Sequence, residues 1–332
     1  MKFLFTFFFS LLIFFSFSQT IDTLTGGNKT SLRGLSVVTN DIIWASGNNG
    51  TIARSVDGGK TFTWLTVKGY EQRDFRDIEA FDAYNAVIVA IAEPAVILRT
   101  RNGGLTWKKV FEDKTKGMFL DAMSFDRKNG VVIGDPIKGN MFIAFTRNSG
   151  MHWYTRKKEK IPLATGEAFF ASSGTNIKLL PVKGNIFRYA AVSGGTVSSF
   201  IGNKKNKLNL VQGKESTGAN SIAVNLSEQR IVIVGGDFTN DTDTTGNCLL
   251  STDFGTSWRQ PAMPPHGYRS CVEFIYGNKL VTCGTSGVDV SSDGGNNWTL
   301  VSNESFHVCQ KAKKGDAVFL AGKNGRIARL RE

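Results

Sequence analysis

The sequence predicts an all-β chain folded as a seven-bladed β-propeller, in which each blade is a four-stranded antiparallel sheet. Three observations support this prediction: an octapeptide that recurs along the chain, a second repeat that precedes it, and a composition suited to short strands. The 332 residues include 36 Gly and 25 Phe but only 7 Pro. Glycine permits the positive backbone angles of tight turns, and aromatic residues favour strands.

The octapeptide has the pattern S/T-x-D/N-x-G-x-T-W and occurs five times, as SVDGGKTF, TRNGGLTW, TRNSGMHW, STDFGTSW and SSDGGNNW. The Asp or Asn residues of these boxes are Asp57, Asn102, Asn148, Asp253 and Asp293. Successive boxes are 45, 46, 105 and 40 residues apart, so the longest interval holds two periods. We place a degenerate copy, without its Asp, at 193–200. Periods of about 40–50 residues with four strands are typical of propeller blades.

The second repeat sets the number of blades. The segment NGTIAR begins at Asn49 and NGRIAR begins at Asn324, 275 residues later, which corresponds to six periods of about 46 and therefore to seven units. In the first unit we expect strands at 35–39, 42–46, 51–55 and 62–67. The chain ends at Glu332, before a fourth strand of the last unit. Residues near 20–24 are expected to supply that strand and so remove a free sheet edge.

The boxes are predicted to be structural. An Asp or Asn side chain can accept backbone N–H groups inside a turn, and the glycine that follows tolerates a positive φ. The terminal aromatic residue packs in the hairpin or between sheets. We expect the two Asn copies and the lost copy to weaken individual turns without changing the fold.

The first 18 residues, MKFLFTFFFSLLIFFSFS, have the features of a secretory signal peptide. Lys2 is followed by an apolar run of about 15 residues and a small residue at Ser18, and the run is shorter than the ~20 residues of a spanning helix. The alternative is a membrane anchor. We therefore predict that residues 1–18 are a signal peptide and that residues 19–332 form the propeller. The protein is expected to be periplasmic or extracellular, and to be a monomer.

The charge and the reactive residues narrow the possible chemistry. The formal net charge is +12, which favours anionic partners, although a solvated basic surface explains it equally well. No nucleic-acid motif occurs, so no nucleic-acid partner is expected. The three His lie far apart in the sequence, and we expect neither a metal nor a cofactor. Cys271 and Cys283 flank one hairpin; they can form a disulfide or remain buried thiols, and we favour thiols.

Aligning the first strands of the units reveals a polar position at one end of the expected channel. It is occupied by Arg33, Arg76, Asp121, Glu167, Asn220, Arg269 and His307. The turns between second and third strands add Glu93, Asp135 and Asp237. Three interpretations remain open for this charged funnel. The charges can neutralise one another, the three arginines can bind an anionic group such as a carboxylate of a partner peptide, or the funnel can be catalytic.

The sequence resembles the Asp-box (BNR) propellers, and within them the photosystem II stability/assembly factor family and its relatives in non-photosynthetic bacteria. The segments that carry this resemblance are TIARSVDGGKTF, ILRTRNGGLTW, DPIKG before MFIAFTRNSGMHW, SLRG and DFRDI. The likeness extends over nearly the whole chain after residue 18. It implies an exported, non-catalytic protein that binds or helps to assemble membrane protein complexes.

The alternative is a glycoside hydrolase of the sialidase type. Sialidases are also Asp-box propellers, and they hold a sialic carboxylate with three arginines beside a Tyr–Glu pair and an Asp. Tyr268, Glu167 and Asp121 offer the matching residue types. The F/Y-R-I-P motif of that family is absent from the sequence, and Phe75-Arg76-Asp77 is the nearest segment to it.

Overall fold

Seven blades surround a central channel in the computed structural model, which describes residues 19–156, 159–184 and 186–331. The innermost strands of neighbouring blades contact one another in a closed ring, in which the innermost strand of the last blade returns to that of the first. The prediction of a seven-bladed all-β propeller is therefore confirmed. The predicted signal peptide at 1–18 lies outside the described residues.

The first three blades are regular four-stranded meanders. Blade 1 contains β2 (Leu32–Val37), β3 (Ile43–Gly47), β4 (Thr51–Ser55) and β5 (Thr63–Thr66). Blade 2 contains β6 (Phe75–Ala80), β7 (Ala86–Ala90), β8 (Ala95–Thr100) and β9 (Lys108–Asp113). Blade 3 contains β10 (Leu120–Asp126), β11 (Asn129–Ile137), β12 (Asn140–Thr146) and β13 (Tyr154–Thr155). The four strands expected in the first unit all form, and their ends lie within about three residues of the prediction.

The remaining blades complete the ring. Blade 4 contains β14 (Glu167–Ala168), β15 (Ile177–Lys183), β16 (Ile186–Gly195), β17 (Ser199–Ile201) and β18 (Lys205–Lys207). Blade 5 contains β19 (Thr217–Asn225), β20 (Arg230–Asp237) and β21 (Cys248–Ser251), and a bridge from Leu250 to Arg259 takes the fourth position. Blade 6 contains β22 (Cys271–Tyr276), β23 (Lys279–Gly284), β24 (Gly287–Ser291) and β25 (Thr299–Ser302). Blade 7 contains β26 (Val308–Lys311), β27 (Val318–Ala321), β28 (Ile327–Arg331) and, from the other end of the chain, β1 (Thr20–Thr25), with a short 3-10 turn at Lys323–Gly325.

The first strand of the described chain closes the last blade. β1 pairs with β28 in antiparallel register, with Thr20 opposite Arg331 and Ile21 opposite Leu330. The Arg331 guanidinium lies 2.9 Å from the Asp22 carboxylate across this pair. The predicted closure of the ring by the N-terminal segment is confirmed.

The hydrophobic core is divided into layers between neighbouring blades. Trp44 and Ile52 of blade 1, for example, pack against Phe75, Ile78 and Ile88 of blade 2, and all five side chains are buried. Inner strands such as β3 and β7 therefore bury both faces, one against each neighbouring blade, whereas outer strands such as β9 are largely exposed. This explains why the core strands consist mainly of continuous apolar residues.

The five boxes share one hydrogen-bond pattern at the turn between third and fourth strands. Each Asp or Asn side chain accepts the backbone N–H of the residue four positions later, at 3.0 Å for Asp57, Asn102 and Asn148 and 2.9 Å for Asp253 and Asp293. The Ser or Thr that opens each box accepts the N–H of a glycine four residues on, at 2.7–3.2 Å. The two Asn copies keep both bonds.

Blade 4 departs from the repeat in two ways. The degenerate box that we expected at 193–200 is misplaced, because those residues form the end of β16 and the start of β17; the turn between third and fourth strands spans 202–204. The inner strand is also interrupted. β14 pairs with the end of β16, the chain then leaves the sheet for residues 169–176, and pairing with β16 resumes at Ile177.

Residues 169–176, with the sequence FFASSGTN, lie across the channel and are called here the plug segment. Its Ser172 hydroxyl donates to Asn220 of blade 5 at 2.6 Å, and its Ser173 hydroxyl donates to the Ser270 carbonyl before blade 6 at 2.7 Å. Gly174 has a φ of +68°, and a Cβ there would lie 2.4–2.6 Å from the Asp77 carboxyl group of blade 2. Only glycine allows this close approach.

Two further features concern the whole described chain. None of its helical segments is long or apolar enough to cross a membrane. Cys271 and Cys283 are direct cross-strand partners, and both are buried free thiols, as are Cys248 and Cys309.

Candidate functional site: the channel mouth

The plug segment separates two cavities, one at each end of the channel. The mouth, where the inner strands begin, has a volume of about 440 Å³ and is lined by Phe169, Phe170 and Ser172 of the plug segment. The base, where the inner strands end, has a volume of about 560 Å³ and is lined by Gly174 and Thr175 of the same segment. The plug segment therefore forms part of the wall of both cavities.

The mouth brings together five of the nine ionisable side chains predicted for the funnel: Arg33, Arg76, Asp121, Asp135 and His307. Three of them occupy equivalent β-bulges. The register of β2 with β3 shifts at Arg33, that of β6 with β7 at Arg76, and that of β10 with β11 at Asp121. A bulge inserts one unpaired residue and changes the direction in which its side chain points. This repeated backbone feature delivers the three charged groups to one cavity.

The positive charges of Arg33 and Arg76 are only partly paired within the fold. Arg33 donates from Nη1 to the Ser172 carbonyl at 3.3 Å, and no carboxylate among the described residues lies within ion-pair distance of it. Arg76 donates from Nε to Asp74 at 2.8 Å, and its terminal nitrogens have no partner in the described part of the chain. Burial and the neighbouring Arg76 lower the pKa of Arg33. A bound anion would relieve this repulsion.

The two carboxyl groups of the mouth differ in their partners. Asp135 accepts the Phe169 N–H at 3.0 Å, and burial raises its pKa. Asp121 is 1% exposed, and neither of its carboxyl oxygens has a hydrogen-bond partner among the described residues. Burial and the nearby Asp135 raise the pKa of Asp121 well above its ordinary value, although Arg76 and the backbone N–H groups of Asp135 and Ala171 act to lower it. Asp121 is thus a fully buried carboxyl group that lines a cavity and makes no hydrogen bond of normal geometry within the described chain.

His307 and Tyr268 form another part of the wall. His307 Nε2 lies 3.1 Å from the Ser31 hydroxyl, and burial together with Arg33 lowers the pKa of His307 to about 3. The imidazole is therefore neutral at physiological pH. Tyr268 donates its hydroxyl to Asn220 at 2.9 Å, and burial raises its pKa to about 12.

Arg269 does not reach the mouth. It is fully buried, and its Nε lies 2.6 Å from the Asp289 carboxylate on β24, while its other nitrogens donate to Tyr268 O, Ser286 Oγ and His266 O. All the polar contacts of its side chain lie within blade 6 and the segment that leads into it. The three-arginine site, one of the interpretations that the sequence left open, is consequently not assembled, because the ion pair with Asp289 holds the third arginine inside the blade.

Glu167 is also turned away from the mouth. Its carboxylate accepts the Ser193 hydroxyl at 2.5 Å and the Ala164 N–H at 2.8 Å, and it lies 2.6 Å from Lys205 Nζ. Burial by itself would raise the pKa of Glu167, but these contacts outweigh burial and lower it. The alignment failed here because the inner strand of blade 4 is split by the plug segment.

Glu93 and Asp237 lie outside the cavity wall. Glu93 is exposed in the turn between β7 and β8 and accepts the Gly117 N–H. Asp237 accepts the Thr239 hydroxyl at 2.6 Å and lies 3.6 Å from Lys214 Nζ. These local bonds hold Asp237 beside the mouth rather than in it.

The sequence analysis missed the aromatic part of the wall: Phe119, Phe169, Phe170 and Phe238 line the mouth, as does Lys323. Phe238 is 47% exposed, and its ring meets those of Phe170 and Tyr268 edge to face, with centroids 6.1 and 6.3 Å apart. The available signal was the small-residue run ASSGTN after Phe169-Phe170, which has no counterpart in the other units. The cavity thus combines aromatic surface, two arginines and two carboxyl groups.

No cluster of three or more His, Cys, Asp or Glu suited to a metal ion occurs among the residues that the structure describes. The prediction of no metal or cofactor stays a prediction.

Comparisons with known proteins show the propeller fold. No family model matches the chain, and no curated protein matches it. A solved structure of YCF48 bound to D1 peptide has a TM-score of 0.64 at 17% identity and covers 97% of this chain and 100% of its own. YCF48 from Cyanidioschyzon merolae has a TM-score of 0.65 at 15% identity and covers 94% of this chain and 99% of its own.

Propellers of other kinds are similar as well. The GH74 xyloglucanase from Xanthomonas campestris has a TM-score of 0.60 at 13% identity and covers 93% of this chain, which spans 53% of that enzyme. The Neurospora crassa Pan2 WD40 domain has a TM-score of 0.59 at 12% identity, covering 90% of this chain and 88% of that domain. Likeness at this level of identity establishes architecture and leaves activity to the site.

Proposed function

We propose that this protein is an exported, non-catalytic propeller that binds an acidic segment of a protein partner in its channel mouth and acts as a scaffold or assembly factor for a membrane protein complex. The observation behind this proposal is the pair Arg33 and Arg76, two arginines that line one open cavity. The terminal nitrogens of neither arginine contact a carboxylate of the described chain. Paired guanidinium groups of this kind suit bidentate binding of a carboxylate.

Two further observations support a protein partner. The net charge of +12 attracts acidic surfaces over long range. The exposed Phe238, the half-buried Phe119 and Phe170 and the buried Phe169 offer the apolar contact area that peptide segments use as anchors. The similar YCF48 structure was solved with a D1 peptide, and the resemblance of the boxes points to the same Asp-box family, so both favour peptide binding by analogy.

Export and oligomeric state belong to the same proposal. Residues 1–18 carry the charge, length and exit residue of a cleaved signal, which supports a periplasmic or extracellular location. A protein fused after residue 332 to a reporter that is active only outside the cytoplasm should give signal, and deletion of 2–18 should abolish it. We expect the purified protein to elute as a monomer.

Binding can be tested with the purified protein and two fluorescein-labelled ten-residue peptides. One ends in Asp-Glu, and the other has the same sequence with Asn-Gln and an amidated terminus. We expect the acidic peptide to bind at least tenfold more tightly, which corresponds to about 1.4 kcal/mol. Arg33→Gln and Arg76→Gln should each remove most of that preference.

Arg188→Gln is the matched control, because Arg188 is an exposed arginine on β16 away from the mouth. It should bind like the natural protein. Equal binding of the two peptides, or unchanged binding by both mouth variants, would show that the mouth does not recognise acidic groups.

A further inference from the structure

We propose that Asp121 marks a second subsite in the mouth, which receives a basic group, an ammonium or guanidinium, from the same partner segment whose acidic group Arg33 and Arg76 hold. The inference rests on the proposed function and adds to it. It makes the preferred ligand a segment with neighbouring acidic and basic groups, rather than a purely acidic one.

The first step is the state of Asp121 itself. Buried carboxyl groups in folded proteins are almost always hydrogen-bonded, because desolvation of an unpartnered polar group costs several kcal/mol. Asp121 is 1% exposed, yet both its oxygens lack partners among the described residues. It lies at a β-bulge of β10 and lines the mouth cavity. The missing donors therefore have space to arrive from outside the chain.

The second step is a comparison with Asp77, a buried carboxyl group on the inner strand of the preceding blade, one position after the bulge at Arg76. Asp77 is equally buried, but its oxygens accept the backbone N–H groups of Ile78 at 2.7 Å and Met123 at 2.6 Å. The fold can thus supply donors to a buried carboxyl group on an inner strand. At Asp121 it leaves the carboxyl group open to the cavity.

The third step concerns the charge of the missing donor. Asp135 lines the same cavity and lies close enough to raise the pKa of Asp121, so a positive group would be attracted by two carboxyl groups. Arg76 lies close enough to lower the pKa of Asp121 but gives its Nε to Asp74 at 2.8 Å. Neither Arg33 nor Lys323, which also line the cavity, forms an ion pair with Asp121. The phenyl rings in the wall also favour a cation, because ring faces attract positive charge.

The fourth step is size. A cavity of about 440 Å³ lies within the usual range of about 300–1,000 Å³ for sites that enclose a small ligand. The two arginines and the two carboxyl groups line this single space. One short segment can therefore place its acid against Arg33 and Arg76 and its base against Asp121 at the same time.

The experiment uses the purified protein and two fluorescein-labelled ten-residue peptides that end in Lys-Glu or norleucine-Glu. Norleucine keeps the aliphatic chain of lysine and removes its charge. We expect the natural protein to bind the lysine peptide at least fivefold more tightly. Asp121→Asn should abolish this preference, since the amide keeps the size of the side chain but presents no negative charge.

Asp41→Asn is the control: Asp41 is exposed near the first box, and the variant makes the same chemical change far from the mouth. It should keep the fivefold preference. Folding of each variant is checked by its melting temperature, and because Asp121 has no hydrogen bond to lose, Asp121→Asn should melt no lower than the natural protein. A lower melting temperature with the lysine preference intact would make Asp121 a structural residue and overturn the inference.

The outcomes separate the two proposals. If Arg33→Gln loses binding of the norleucine peptide, that loss reports on the acidic subsite alone. If that result holds while the natural protein shows no preference for lysine, the basic subsite is wrong and the proposed function stands. If neither peptide binds, both are overturned.

Discussion

The two ends of the channel use the same kinds of charged residue in opposite ways. At the base, Glu79 pairs with Lys313 at 2.7 Å, and Glu273 pairs with Lys178 at 3.1 Å. At the mouth, Asp121 has no partner among the described residues, and Arg33 has no carboxylate. The plug segment lies between the two arrangements. The two pairs at the base are satisfied within the fold, whereas Asp121 and Arg33 at the mouth have no oppositely charged partner within ion-pair distance in the described chain.

The base pairs also connect blades that are not neighbours. Lys178 lies on β15 of blade 4 and Glu273 on β22 of blade 6, while Lys313 follows β26 of blade 7 and Glu79 lies on β6 of blade 2. Each pair therefore spans the end of an intervening blade. Ion pairing between blades therefore distinguishes the base of the channel from the mouth.

Truncation of two buried carboxyl groups on inner strands, Asp77 of β6 and Asp121 of β10, tests this difference most strongly. Asp77→Ala leaves two buried N–H donors without an acceptor and should lower the free energy of unfolding by about 2–4 kcal/mol. Asp121→Ala removes a buried carboxyl group that has no partner and should raise it by about 1 kcal/mol at pH 7. Urea denaturation of both variants measures the difference.

The pH dependence checks the sign of the Asp121 effect. Its pKa is raised in the folded state, so between the ordinary value near 4 and that raised value the folded protein binds more protons than the unfolded one. Stability contributed by this group falls as pH rises through that interval. The advantage of Asp121→Ala should therefore be absent below about pH 4 and grow above it. A constant advantage at all pH values would contradict this account.

A second test removes one of the two ion pairs at the base of the channel. Burial would lower the pKa of Lys178, but Glu273 outweighs it and raises that pKa, as expected for a real ion pair. Lys178→Met leaves Glu273 partly buried and unpaired, and it should cost about 2–3 kcal/mol. Adding Glu273→Gln should recover about half of this loss. A loss below about 1 kcal/mol would class the pair with exposed salt bridges.

The third prediction concerns acid sensitivity at the mouth. The pKa of His307 is about 3 in the folded protein because of burial and Arg33, so between about pH 3 and its ordinary value of about 6.5 the unfolded chain binds more protons. Stability from this group is present above pH 6.5 and is lost as pH falls. His307→Gln should reduce the loss between pH 7 and pH 5 by about 2 kcal/mol. Equal pH profiles would contradict the neutral state of His307.

The smallest expected effect on stability is at the rim. Phe238 is 47% exposed, so Phe238→Ser should change the free energy of unfolding by less than about 0.5 kcal/mol. Binding of the acidic peptide should nevertheless weaken several-fold if the ring is an anchor. Tyr276→Ser, an exposed aromatic on blade 6 away from the mouth, is the control and should leave binding unchanged. Equal effects of the two variants on binding would remove Phe238 from the site.

The parts of the molecule that were predictable depend on local sequence. The box turns close through bonds between residues four apart, so five copies of one octapeptide located five blade ends. Arg33, Arg76 and Asp121 were placed together because the same bulge occurs at the same point of three repeats. Because the same local pattern recurs in each of these blades, it also indicates which residues of different blades come together at the channel.

The errors occur where contacts are long-range or the repeat is broken. Arg269 has the right position in the sequence, but Asp289, 20 residues later, draws it into the blade. Glu167 was predicted to face the mouth from its position in an unbroken inner strand. That strand is split by residues 169–176, so Glu167 is not equivalent to the aligned residues of the other blades. The pairing of Lys178 with Glu273, 95 residues apart, leaves no periodic trace in the sequence.

The pairing of Thr20 with Arg331 places both ends of the described chain on the outermost strands of one blade, at the rim of the disc. A tether or reporter joined at either terminus would therefore leave the propeller along its circumference, with both openings clear. The same geometry makes the order of synthesis matter. β1 pairs with β28, which is made later, so the last blade cannot be completed before β28 has been synthesised.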